Sequence, residues 1–155
     1  MPTNNLPLAL ADTVTPVDRF ERTSALVALY DRSVDSVKGY KTMVEKSEPA
    51  FREIAERFHA LHAMHADRLG ALLFDQGVMP EPDGTVMGMV NQAAVSLRAF
   101  FDDIDEDVMD QVRSGEDWVL KAFDDAIAEQ AGAGPVLQAM RTELTTLLAD
   151  TRGLG

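Results

Sequence analysis

Apolar residues recur every three or four positions over most of the chain, and no segment alternates convincingly as a strand would. The spacing predicts a first helix opened by Thr15, Pro16 and Asp18 and running to about Lys46, with Phe20, Val27, Tyr30, Val34, Val37 and Val44 facing inward. Ser47-Glu48-Pro49 reads as a short connection with its own helix-start signals, so a second helix from about Pro49 to Gln76 should return antiparallel. Its stripe is Phe51, Ile54, Phe58, Leu61, His65, Leu69 and Leu72.

Gly77 to Gly84 is rich in glycine and proline and reads as a loop, followed by a shorter helix over 85–102. Asp103 with Glu106 resembles a capping box, starting a long helix to about Gln130 whose stripe is Val108, Val112, Val119 and Phe123. Ala131 to Pro135 stops that helix and starts the last, ending near Asp150, with Val136, Leu137, Met140, Leu144, Leu147 and Thr151 inward. The fold class expected is all-α: four core helices in a bundle, with a long crossover carrying the extra helix. Residues 15–152 form one domain on this reading, and residues 1–14 an extension, flexible or docked on a partner through Leu6 to Leu10.

Three polar residues interrupt these apolar stripes. His65 lies about 20° from Phe58 around the helix axis and His62 about 40° on the other side, whereas His59 is displaced by about 100° to the edge. Glu116 falls within about 40° of the Val108–Phe123 stripe. Core positions given to imidazoles and a carboxylate demand hydrogen bonds, an ion pair or a metal, and the sequence leaves these open. Lys38, four after Val34, would supply the cation of an ion pair if it reached Glu116, in the place where a metal would otherwise sit. Glu143 lies near the edge of the last stripe, and Gly115 beside Glu116 weakens its helix as residues at close backbone approaches often do.

Composition narrows the chemistry further. The 155 residues contain no cysteine, which excludes disulfides, thiolate metal sites and a cysteine nucleophile, so any metal must rest on His and carboxylates. A formal net charge of −12 opposes binding to nucleic acid and to anionic lipid. No run of eighteen apolar residues and no signal-like start is present, which predicts a soluble, cytoplasmic protein. Asp103, Asp105 and Asp107 have the spacing of a calcium loop, but Val108 replaces its glycine and Ser114 its closing glutamate. A charged helix start is the better reading.

Asp35 to Tyr40, His65 to Leu69, Gly115 to Asp117 and Leu120 to Phe123 stand in an order and spacing that resemble the ferritin-like superfamily. The closer likeness is to small bacterial ferritin-like bundle proteins described as a domain of unknown function, relatives of rubrerythrin and ferritin. The resemblance implies an antiparallel four-helix bundle with one long crossover and, in metal-binding members, a di-iron site of two glutamates and two Glu-x-x-His motifs. Carried onto this chain, His65 fits the histidine of the second helix and His62 stands in place of its glutamate. Glu116 fits one single-glutamate position and Lys38 replaces the other, while Glu143 is kept and Leu147 stands where a histidine is expected.

The expectation from this resemblance is a degenerate di-iron site in a non-catalytic binding, structural or stress-related protein, a homo-oligomer or the partner of another protein. The alternative is a metal-binding protein holding iron, zinc or manganese through His62, His65, Glu116 and Glu143, with possible oxidoreductase activity.

Overall fold

The computed structural model describes residues 16–80 and 108–153, with side chains from Arg22 onward. The N-terminal extension, the helix expected over 85–102 and the capping box at Asp103 lie outside the described residues. Within them the chain forms four helices: α1 (Pro16–Lys46), α2 (Pro49–Asp75), α3 (Val108–Glu129) and α4 (Gly134–Asp150). No strand occurs among the described residues.

The helices pack around one core. α1 lies against α2 and α3, and α4 closes the remaining side against α3 and, more loosely, α2. Pairings fix the directions. Ser24 meets Glu129 and Tyr40 meets Glu116, so α1 and α3 are antiparallel. Arg57 meets Asp150 and Arg68 meets Glu143, so α2 and α4 are antiparallel too. Across the diagonal, His62 meets Glu116 and Gln76 meets Gln130, so α2 and α3 point the same way. Two helices in one direction need a crossover between them rather than a hairpin.

α2 ends as its sequence foretells. Gly77 adopts φ 76°, Gly77 N–H donates to the Phe74 carbonyl and Val78 N–H to the Leu73 carbonyl, which together form a Schellman cap. The start of α2 differs from expectation. Ser47 donates its hydroxyl to the Met43 carbonyl and so closes α1, while Glu48 occupies the N-cap without a side-chain bond.

The inward face of α1 is rotated from the predicted stripe. Leu26, Leu29, Tyr30, Val34, Tyr40 and Met43 are buried, whereas Val27, Val37 and Val44 are only half-buried. α1 contacts two neighbours, so its buried face is centred between them and the three valines fall on its margin. Val136 is exposed rather than inward, because it lies in the first turn of α4 ahead of the packed positions Leu137, Met140 and Leu144.

α1 also carries an interruption that no apolar pattern signals. The N–H groups of Ala25 and Leu26 donate to the carboxylate of Glu129, as does the Ser24 hydroxyl, and the Gln130 amide donates to the Arg22 carbonyl. A side chain inserted into the hydrogen-bond ladder gives this point the character of a helix start.

Gly115 does not mark a close approach. It is exposed, and a Cβ built on it meets nothing within 4 Å. Gly115→Ala is therefore expected to stabilise the fold by about 1 kcal/mol through helix propensity, measured by urea unfolding. No change, or a loss, would show a constraint at this position beyond the packing described.

Candidate functional site

The polar residues predicted to face the core do so. His62 and His65 are fully buried, Glu116 is 2% exposed, and Glu143 sits at the rim at 38%. They form two linked groups rather than one cluster around a point. In the inner group the Tyr40 hydroxyl on α1 donates to Glu116 Oε1 at 2.5 Å, and His62 Nε2 on α2 lies 2.9 and 3.1 Å from the two oxygens of the same carboxylate on α3. In the outer group His65 Nε2 lies 2.8 Å from Glu143 Oε2, and Arg68 donates to both Glu143 oxygens from the surface.

Rings hold the two groups in place. Tyr40 stacks between Phe58 and His62, with centroids 5.1 and 5.6 Å away. His65 meets His62 edge-on at 6.4 Å and Phe123 at 5.7 Å. These contacts fix the imidazole planes, so each Nε2 is aimed at its carboxylate.

The unused ring nitrogens decide which nitrogen donates. Nδ1 of His62 and of His65 is buried without a hydrogen-bond partner. A proton there would be stranded, so each ring is best satisfied with Nε2–H donating to its glutamate. Tyr40 is likewise held as a donor, because burial and the adjacent Glu116 carboxylate push its hydroxyl well above the ordinary value.

Lys38 is not where the ion-pair reading needs it. Its side chain is exposed, and its charge acts on Asp35 along the same helix. Two positions on, about 200° around the axis, Tyr40 faces the core and contacts Glu116 instead. Tyr40 is thus the site residue that the apolar stripe missed.

Among the described residues no group of three or more His, Asp or Glu side chains is arranged to hold a metal ion. Ligation through Nε2 would also move each imidazole proton to a buried Nδ1 that has no acceptor, whereas ligating histidines ordinarily donate that proton to a second partner.

A model of the family described as Domain of unknown function (DUF2383) matches residues 21–129. The chain belongs to that family. No curated protein and no solved structure matches it. The matched DUF2383 span contains α2, α3 and nearly all of α1, and therefore Tyr40, His62, His65 and Glu116, while Glu143 lies beyond it on α4. No helix among the described residues of this DUF2383 member is long and apolar enough to cross a membrane.

The outer group gives the protein a defined acid response. Burial pushes His65 below its ordinary value of 6.5, against its hydrogen bond to Glu143, with His62 and Arg68 adding to the fall. Burial would raise Glu143, but hydrogen bonds from His65 and Arg68 hold it below its ordinary 4.5. Both groups bind protons more weakly folded than unfolded, so both contributions are fully present above the ordinary values and decline as pH falls below them. The melting temperature is expected to fall first as pH drops below about 6.5 through His65, and again below about 4.5 through Glu143. His65→Gln should flatten the first part of this decline in circular-dichroism melts. An unchanged slope in that variant would remove His65 as the cause.

Proposed function

We propose that this chain is a ferritin-like bundle in which a hydrogen-bonded network has replaced the di-iron centre, so that it works as a binding or structural protein rather than an oxidation catalyst. The observation that carries this reading is the state of Glu116. Its carboxylate already accepts from Tyr40 and His62, at the place where a bridging ligand would have to turn to metal. The direction of the helices, with α2 and α3 parallel across the diagonal, supports the ferritin-like part of the proposal. The loss of charge balance supports the rest. Two iron ions need several carboxylates, and among the described residues the core offers Glu116 with Glu143 at its rim.

Elemental analysis of the purified protein after loading with iron, zinc or manganese tests the proposal. Substoichiometric metal is expected, with the same melting temperature before and after chelation. Stoichiometric metal that disappears in a His62→Ala, Glu116→Ala double variant would overturn it in favour of a metal-binding protein.

A further inference from the structure

Between α2 and α4 runs an open groove whose walls are mostly apolar, with Leu61 and Met64 on one side and Thr146 and Leu147 on the other. Met64 is 38% exposed there. The outward positions of α4 beside it, Ala139, Thr142, Thr146 and Ala149, are exposed, small and uncharged. In a chain of net charge −12 this face is neutral at its ends as well. Arg57 pairs with Asp150 at one end, and Arg68 pairs with Glu143 at the other.

The sign pattern is specific. α2 contributes the cation at both ends and α4 the anion at both ends. A two-fold axis along the groove would lay α2 of one copy over α4 of the other without changing its position along the axis. Arg57 then faces Asp150 of the other copy, and Arg68 faces Glu143 of the other copy. The alternative two-fold, across the groove, sets Arg57 against Arg68 and is repulsive.

We propose that this groove is the interface of a symmetric homodimer, with α2 of each copy seated on α4 of the other about a two-fold axis running along the groove. Met64 fills the centre of the contact, and the small outward residues of α4 allow the helices to approach closely. Each surface ion pair becomes part of a four-membered network that spans the interface. The neutrality of this face matters because two chains of the same high charge repel across most of their surfaces. The groove shares Arg68 and Glu143 with the outer group, whereas Tyr40, His62 and Glu116 of the inner group do not line it.

Sedimentation velocity of the full chain over a micromolar concentration series tests it. The wild type is expected to be a dimer. Met64→Glu, which buries two unpaired charges at the centre, should raise the dissociation constant at least about 100-fold while leaving helicity and melting temperature nearly unchanged. Arg57→Asp should weaken the dimer by setting carboxylates against each other, and the swap Arg57→Asp with Asp150→Arg should restore it. A monomeric wild type would overturn the proposal, since the groove is then covered by another partner or by the chain itself. So would a dimer unaffected by Met64→Glu, or one abolished instead by Trp118→Glu on the face between α1 and α3, where Trp118 is 60% exposed beneath Arg32.

Discussion

Glu116→Ala is expected to destabilise the fold by about 4 kcal/mol, because it leaves two buried donors without an acceptor and opens a cavity between α1, α2 and α3. The Tyr40 hydroxyl and the His62 Nε2–H both end on this carboxylate. Each stranded donor contributes roughly 1–3 kcal/mol, and packing around the vacated side chain adds to that. Tyr40 cannot escape by ionising, since burial still opposes a phenolate after the glutamate is gone.

Replacing the whole inner group should be far milder. A triple variant, Tyr40→Phe, His62→Leu and Glu116→Leu, removes both donors together with the acceptor and fills the space with apolar atoms. It is expected to recover most of the loss, as buried polar networks replaced outright by hydrophobic side chains often do. Urea unfolding of the single and triple variants gives the comparison. If the triple variant were as unstable as Glu116→Ala, the stability of this region would be governed by packing geometry rather than by polar satisfaction. If Glu116→Ala cost under about 1 kcal/mol, water would have to reach the donors and the site would not be dry.

The same residues show how far the sequence can be read. α3 is legible because the expected positions 108, 112, 119 and 123 are all buried, together with Met109, Ala122 and Ala126, and Glu116 is the single polar residue among them. α2 is legible at its centre, where the paired histidines stand out among Ile54, Phe58 and Leu69, but Phe51, Leu61 and Leu72 of its expected stripe are only half-buried and Leu73 is buried instead. α1 is not legible. Its buried positions 26, 33 and 40, continued by Ser47 just past its end, recur at a spacing of seven, but two of the four are serines that bond back to the helix, Ser33 to the Leu29 carbonyl and Ser47 to that of Met43. A reading keyed to hydrophobic residues passes over such a row and selects the valines at its margin. Tyr40 lies on that row, so the missing partner of Glu116 is lost together with the register. Spacing from Val34 points to Lys38 for that role, and a displacement of two residues is enough to put it on the opposite face. Glu143 is expected at an edge, and that is where it sits. Its pairing with His65 and Arg68 depends on how α4 faces α2, which periodicity within one helix does not encode.

Glu129→Ala is expected to destabilise the protein by about 2 kcal/mol and to loosen the N-terminal part of α1 while leaving the rest of the bundle intact. Glu129 is the last residue of α3, yet its carboxylate serves α1, accepting from the Ser24 hydroxyl and from the N–H groups of Ala25 and Leu26. N–H groups at a helix start lack intrahelical acceptors, and a carboxylate there gains from the partial positive charge they carry. Three donors on one ionised acceptor exceed an ordinary side-chain cap, but the site is only part-buried and water supplies some replacement. Glu129→Gln should retain part of the stability, since it keeps an acceptor oxygen and loses the charge. Hydrogen exchange distinguishes a local from a global effect. Amides of Ala25 and Leu26 should lose protection in Glu129→Ala by more than those near Tyr40, whose protection should fall only as far as global stability does. Equal loss along the whole of α1 would mean that Glu129 stabilises α1 as one continuous helix, with no separate start at Ser24.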